Sequence, residues 1–135
     1  MAASILVDAG FLVALLSRRD AHHRWAVAQA GQFPPQWRTC EAALSEAYHL
    51  LGPRGTPALT ALVRRQAVVV AFDFASDFEA VLRLMQKYID VPASLADAAL
   101  VRMTETMRDP TILTTDTDFG IYRRHGRQMV PTVMP

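Results

Sequence analysis

Two aspartates stand at points where an apolar run of the chain ends. Asp8 directly follows the run Ser4–Val7, and Asp116 directly follows the run at residues 112–115. We predict that both runs are buried strands, because short apolar runs of this kind are typical of parallel sheets. Ligands bind to parallel sheets outside the carboxyl ends of the strands. Asp8 and Asp116 are therefore candidates for a shared polar site.

Two further acids lie inside segments that are predicted to be helical and that are otherwise apolar or small. Glu46 has Leu50 one turn after it, and Asp97 has Leu100 one turn after it. Side chains three and four residues apart share a helix face, so both carboxylates are expected at or near a buried stripe. Burial of a carboxylate is costly unless another group compensates for its charge.

The four acids together predict a metal centre. If they converge, each close pair repels by about 4 kcal/mol at ~4 Å and an effective dielectric constant near 20. No lysine or arginine lies beside any of them in the sequence. Mg²⁺ and Mn²⁺ bind preferentially to carboxylate oxygen and water, and such an ion can activate a water and stabilise charge on a phosphate. This chemistry is that of phosphodiester hydrolysis.

Four segments carry these acids, in this order: ILVDAG at 5–10, EA at 46–47, LADAALV at 95–101 and LTTDTDF at 113–119. In their motifs and order they resemble the PIN domain, and the resemblance covers the whole chain. It implies an α/β fold, with a central parallel sheet in a three-layer α/β/α arrangement, and one domain over residues 1–135. It also implies a metal-dependent endoribonuclease that cuts single-stranded RNA. In small members of the family, such an enzyme is the VapC-like toxin of a type II toxin–antitoxin pair, with an antitoxin partner and a homodimeric state.

The resemblance assigns roles to individual residues. Asp8, Glu46, Asp97 and Asp116 match the family's catalytic and metal-binding acids, and the ion expected is Mg²⁺ or Mn²⁺. Asp118 matches a more variable fifth metal-binding position. Gly10 is a departure, since many members have serine or threonine there. The hydroxyl that would contact a metal-bound water is then missing from position 10.

Each acid also has a structural interpretation. Asp8 could cap the following helix, and Glu46 alone could be a solvated helix residue. Asp97 stands three residues after Ser94 and could be the acid of a capping box. Asp118 alone could be a turn residue. The joint placement of the acids favours the metal site.

Strands alternate with helices along the chain, which predicts a parallel sheet. Cys40–Leu51 and Ala58–Arg65 are predicted as separate helices, the first capped by Thr39 and ended by Gly52-Pro53, the second opened by Thr56-Pro57. The other predicted helices span residues 9–17, 22–33, 76 or 77 to 88, and 94–107. The predicted strands span 4–7, 36–38, 67–72, 111–114 and 129–133.

Two basic clusters flank the acidic segments. Arg18 and Arg19 with Arg24 form one cluster, and the run at 123–127 forms the other. Such clusters are often only solvated faces, but beside an acidic pocket they could bind phosphates of RNA. Tyr122 could stack on a base or pack in the core.

A partner surface is expected on the helices at 22–33 and 58–65. Their bulky apolar side chains could form a clamp for an amphipathic antitoxin segment, or they could pack internally or at a homodimer interface. The side chains concerned are Trp25, Phe33, Leu59 and Leu62.

Composition excludes several other classes of protein. Hydrophobic residues make up 51% and charged residues 20% of 135 residues, which is typical of a folded domain. The single cysteine, Cys40, cannot form an internal disulfide or a multi-thiolate zinc site, and it favours a cytoplasmic protein. No segment has the length of a membrane span or the pattern of a secretory signal. The net charge of +1 gives no bulk attraction for nucleic acid.

Other functions remain open from the sequence. A receiver-type phospho-acceptor domain needs a lysine after a late strand, and none lies beyond Lys87. A phosphatase of the aspartate type needs a second aspartate where Gly10 stands. An RNA-processing PIN nuclease without an antitoxin and a catalytically inactive PIN-like binding module are the two alternatives within the resemblance.

Overall fold

Five short strands pair in parallel to form the central sheet of the structure, a computed structural model that describes residues 3–135. Their order is β3-β2-β1-β4-β7, and a separate antiparallel hairpin joins β5 to β6. The strands are β1 Ser4–Val7, β2 Trp37–Thr39, β3 Val68–Val70, β4 Pro110–Leu113, β5 Arg123–Arg124, β6 Gln128–Met129 and β7 Thr132–Val133. The helices are α1 Ala9–Leu16, α2 His23–Gln32, α3 Glu41–Arg64, α4 Phe74–Lys87 and α5 Leu95–Thr106, with the 3-10 turn η1 at Thr117–Gly120.

The register of the sheet brings the ends of two strands together. β1 lies between β2 and β4, and Val7 of β1 is paired with Leu113 of β4. Because the two strands are parallel, the residues that follow them emerge at the same edge of the sheet. Asp8 and Thr114 are these residues.

Hydrophobic side chains fill the space on both faces of the sheet. Leu6 and Ile112 belong to one buried cluster, which includes side chains of α4 and α5. Val7 and Leu113 belong to the other, which includes side chains of α1, α2 and α3. Neighbouring strand residues therefore point to opposite faces, as the period of two requires. The predicted three-layer α/β/α architecture is confirmed.

Helix α3 confirms the predicted end of a helix at Gly52-Pro53 but not the predicted start of the second helix at residue 58. Gly52 has the non-helical angles φ 66° and ψ −170°, which divide α3 at a kink. The helix resumes at Pro53 without a loop, because proline lacks the N–H that the first position of a helix leaves unpaired. Thr56 does not cap a helix. Its hydroxyl donates to the Gly52 carbonyl at 2.9 Å.

Some other boundaries also differ from the predictions. Strand β2 is shifted by one residue, and the hydroxyl of its Thr39 donates to the Val7 carbonyl at 2.8 Å instead of capping α3. Helix α4 begins at Phe74, since Asp73 and not a later residue accepts from the first turn. The predicted strand at 129–133 is divided between β6 and β7.

The expected clamp is not exposed in the fold. Leu59 is fully buried and Leu62 is 6% exposed. Trp25 and Phe33 are partly buried and pack against the same cluster. The prediction of an antitoxin clamp is therefore wrong for Leu59 and Leu62, which internal packing accounts for, and stays a prediction for the partly buried Trp25 and Phe33. Within residues 3–135, no helix is both long and apolar enough to cross a membrane.

Candidate active site

A cleft of about 130 Å³ opens at the carboxyl edge of β1 and β4. Helices α1, α3 and α5 each contribute residues to its walls. The four acids predicted from the sequence all line it. The lining residues are Asp8, Ala9, Gly10, Glu46, Leu50, Ala96, Asp97 and Asp116.

Asp8 is the most buried of the four carboxylates, at 6% exposure. It is the N-cap of α1, where its Oδ1 accepts from the Phe11 N–H at 2.9 Å, and its Oδ2 accepts from the Thr114 hydroxyl. Burial raises its pKa from 3.8 to about 6, although these two hydrogen bonds lower it. The charges of Asp116 and Asp97 add to the rise. Asp8 therefore caps α1 and also lines the cleft, which were alternative interpretations of this residue in the sequence.

Asp97 likewise combines the two interpretations. It accepts from the Ser94 backbone N–H at 3.2 Å, while Ser94 Oγ accepts from the Asp97 N–H at 3.0 Å, which completes a capping box at the start of α5. Burial raises the pKa of Asp97, and the charges of Asp116 and Asp118 raise it further, against the hydrogen bonds from Ser94. The box fixes the carboxylate at the wall of the cleft.

Tyr122 lies on the protein side of Asp97. Its hydroxyl donates to Asp97 Oδ2 at 3.5 Å, and its ring is fully buried between Tyr88 and Phe119. Burial and the neighbouring carboxylates raise the pKa of this hydroxyl. Tyr122 therefore packs in the core and is not available to stack on a base.

Asp116 is positioned by the turn that follows β4. Its Oδ1 accepts from the Asp118 N–H at 2.9 Å, and its own N–H donates to Thr114 Oγ1 at 2.9 Å. Asp118 is partly buried and does not line the cleft, although its charge acts on Asp97.

Thr114 is a functional candidate that the sequence analysis missed. Its hydroxyl donates to Asp8 and accepts from the Asp116 N–H, so one side chain links two of the four acids. The signal was its place at the end of a strand, two residues before Asp116. Its contact with Asp8 spans 106 residues of sequence and required the strand pairing to be known.

Glu46 differs from the other three acids because it is exposed on α3. Within residues 3–135 its carboxylate makes no hydrogen bond and no ion pair. Both oxygens are therefore free to contact a ligand without breaking a bond of the fold.

The space beside Gly10 is taken by another side chain. A Cβ at position 10 would lie 2.5 Å from Thr115 Oγ1 and 3.5 Å from Asp8 Oδ1. The Thr115 hydroxyl thus occupies the place where a serine at position 10 would begin. The absence of a side chain at Gly10 therefore leaves room for Thr115.

Among residues 3–135, no cationic side chain lines the cleft to balance its charge. The ion pairs among residues 3–135 both involve Arg102, with Asp77 and with Glu105. In the same range no three histidine, cysteine or acidic side chains are close enough together to hold one ion. The four carboxylates are nevertheless a donor set of the kind that Mg²⁺ and Mn²⁺ prefer. They fit a divalent ion by chemistry and shared cleft, without a formed coordination sphere.

The fold and the order of the acids agree with the comparison to known families. The PIN domain model matches residues 5–124, which include all five predicted acids. The chain belongs to the PIN domain family. The resemblance found in the sequence is thereby confirmed, and the segments that carried it lie within the matched region.

A solved PIN-type structure is similar to this one over most of its length. It is the crystal structure of VapC20 from Mycobacterium tuberculosis, a sarcin–ricin loop cleaving toxin. The TM-score is 0.74, the sequences are 26% identical, and the match covers 87% of this chain and 94% of that chain. A search among curated proteins finds no match.

Proposed function

We propose that this PIN domain is an endoribonuclease that hydrolyses phosphodiester bonds of single-stranded RNA and acts as the toxin of a toxin–antitoxin pair. The observation that carries the proposal is a single cleft lined by four carboxylates without a cationic partner, at the carboxyl edge of a PIN fold. The similarity to VapC20 supports the toxin role.

The residues proposed to hold the ion are Asp8, Glu46, Asp97 and Asp116. Asp118, which does not line the cleft, is proposed to assist only through its charge on Asp97. A bound Mg²⁺ or Mn²⁺ would lower the pKa of a water and stabilise negative charge on the phosphate. The protein's own contribution is to hold the carboxylates in place. Thr114 and the Phe11 N–H orient Asp8, and the capping box orients Asp97.

Glu46 is proposed to accept the proton of the attacking water. It is the acid whose oxygens are free of protein hydrogen bonds, so it can take up a proton without a structural cost. The other three acids each accept at least one hydrogen bond that the fold uses.

The first test is cleavage of RNA by the purified protein. Single-stranded RNA and a sarcin–ricin loop oligonucleotide should be cut with Mg²⁺ or Mn²⁺ and left intact with chelator. Glu46→Gln should lower the rate by roughly 10²-fold or more, and Asp8→Asn, Asp97→Asn and Asp116→Asn should also lower it steeply. Asp118→Asn should cost less. The control is Glu79→Gln, an exposed glutamate on α4 that is outside the cleft.

Two outcomes would contradict the proposal. Cleavage that persists in chelator would exclude the metal-dependent chemistry. No cleavage of any RNA, with metal binding retained, would favour the inactive binding module.

The toxin role is tested with the neighbouring gene. Its product should co-purify with this protein and suppress cleavage. A gene neighbourhood without such a partner, together with growth unaffected by expression of the active protein, would instead favour an RNA-processing nuclease.

We also propose a homodimer. The exposed face of α4 carries an apolar stripe, defined here as Phe74, Phe78 and Leu82, at a spacing of four residues and with 41–42% exposure. Phe74 also lines an apolar pocket of about 460 Å³ together with Phe72 and Leu95. Contiguous exposed apolar surface of this kind is typical of protein interfaces.

A further inference from the structure

The two basic clusters of the sequence differ in whether their arginine side chains form hydrogen bonds within the fold. Arg123 Nη1 donates to the carbonyls of Gly120, Ile121 and Tyr122, at 2.8, 3.2 and 3.0 Å. Arg124 Nη2 donates to the Thr104 carbonyl. These two guanidinium groups donate to backbone carbonyls of the protein. Fewer of their N–H groups are therefore free to bind a phosphate.

The other cluster forms a groove with an arginine that is distant in sequence. Arg18 and Arg19 follow the end of α1, and the kink of α3 brings Arg54 to the same surface. Together they line a groove of about 360 Å³. Arg24, which the sequence grouped with the first two, does not line it.

A glycine of the groove lining packs closely against Leu51. A Cβ at Gly55 would lie 2.7 Å from the Leu51 Cβ, so a larger residue does not fit there without a shift of α3. Gly55 and Leu51 both line the groove. The groove lining therefore includes two residues of α3 that pack closely at the kink.

The guanidinium groups of the three arginines form no ion pair within residues 3–135. All are exposed, and none makes a hydrogen bond or an ion pair with another residue in the range 3–135. Like charges that share a concave surface repel one another and favour an anion between them. Guanidinium groups are well suited to phosphate, which they bind with two parallel hydrogen bonds.

Helices α1 and α3 each contribute residues to both the groove and the acidic cleft. Leu50 lines the cleft and Leu51, the next residue, lines the groove. The eight residues of α1 also connect the two sites, with Gly10 near its start at the cleft and Leu16 at its end in the groove. A helix of that length spans about 12 Å.

We infer that the groove of Arg18, Arg19 and Arg54 binds the phosphate backbone of the RNA beside the phosphate that is cut. This inference rests on the proposed function and assigns a path to its substrate. The backbone enters the acidic cleft from the groove, where arginine contacts hold it while the carboxylates and their ion act on one phosphate. Contacts of this type position a strand without reading its sequence.

The test is direct RNA binding, measured by fluorescence anisotropy of a labelled single-stranded RNA in chelator, with the RNA shown to be intact by electrophoresis. The variant is Arg18→Gln/Arg19→Gln/Arg54→Gln. The matched control is Arg64→Gln/Arg65→Gln/Arg83→Gln, which removes the same charge from exposed arginines outside the groove and outside both basic clusters of the sequence. Thermal unfolding of both variants reports on any structural role of the replaced side chains.

The groove variant should bind roughly tenfold more weakly than the control, for all RNA sequences alike. The slope of log affinity against log salt should fall in magnitude by about 2, which is ~0.7 for each of the lost phosphate contacts. In the cleavage assay, KM should rise while kcat stays near that of the unchanged protein. If the triple variant unfolds, Arg54→Gln is compared with Arg65→Gln in the same way.

Equal binding by the groove variant and the control would overturn the inference. Loss of antitoxin binding with full RNA affinity would also overturn it and assign the groove to the protein partner. Failure of the proposed function is a separate result, since a protein that never cleaves RNA can still be measured for binding. A groove variant that cleaves RNA and binds it with full affinity would contradict the role of the groove but not the proposed function.

Discussion

At the scale of single residues, Asp8 is a buried carboxylate whose charge the metal-free protein tolerates poorly. Its pKa of about 6, against an ordinary 3.8, means that the folded protein holds the proton more tightly than the unfolded chain does. Protonation of Asp8 therefore stabilises the folded state fully below pH ~4. This stabilisation is lost as the pH rises through about 6. The change amounts to about 3 kcal/mol.

This sign gives a pH prediction. Between pH 4 and pH 7 in chelator, the unchanged protein should lose up to about 3 kcal/mol of unfolding free energy relative to Asp8→Asn, which cannot ionise. Urea unfolding at several pH values measures the difference, with Glu79→Gln as the control for an exposed acid. A difference that stays constant with pH would show that the Asp8 carboxyl is not destabilised in the fold.

Gly10 and Thr115 form a second pair whose coupling is testable. Gly10→Ser places a Cβ 2.5 Å from Thr115 Oγ1 and should cost about 1–3 kcal/mol, because a packed position is overfilled. Thr115→Ala removes the obstructing atom, so the double variant should recover most of that loss. Chemical denaturation measures the unfolding free energy of the two single variants and of the double variant. Gly31→Ser is the control, since nothing lies within 4 Å of its Cβ, and additive losses would contradict the pairing.

At the scale of elements, the start of α5 serves both the fold and the site. The Ser94 hydroxyl only caps the helix, whereas the Asp97 carboxylate lines the cleft and is held by the Ser94 backbone N–H, which Ser94→Ala retains. Ser94→Ala should therefore cost about 1 kcal/mol and leave the Mn²⁺-induced rise in Tm unchanged.

Asp97→Asn should behave in the opposite way. The amide oxygen can still accept from the Ser94 N–H, and the repulsion from Asp116 is removed. We expect the metal-free Tm to be preserved or raised and the rise on adding Mn²⁺ to be reduced, as measured by thermal unfolding with and without the ion. A large loss of metal-free Tm would mean that capping is the main role of Asp97.

At the scale of the whole molecule, the apolar stripe of α4 predicts self-association. Sedimentation should give about twice the 15.0 kDa mass of the chain. Phe78→Asp should give the monomer mass, with a Tm close to that of the unchanged protein. Met129→Asp is the control, since Met129 is 69% exposed and lies outside the stripe. A monomer at all concentrations, or a dimer that survives Phe78→Asp, would contradict this interface.

Local pattern was sufficient for the layers of the fold and for the choice of acids. Apolar runs identify the strands, since burial on both faces leaves little room for polar residues in them. The positions of Asp8 and Asp116 after two of these runs place both at the same edge of a parallel sheet. Helix boundaries were less accurate: Gly52-Pro53 ends the first part of α3 as predicted, but the second part begins at once and not at residue 58, because proline fits the first position of a helix.

The sequence by itself determined the parallel α/β architecture, the family resemblance and an acidic set without nearby cations, because these depend on residue type and short spacing. Only the tertiary structure decided which residues meet. The pairing of β1 with β4 joins Thr114 to Asp8, and the kink in α3 joins Arg54 to Arg18 and Arg19. Contacts between distant segments depend on strand order and helix direction, which local periodicity does not specify.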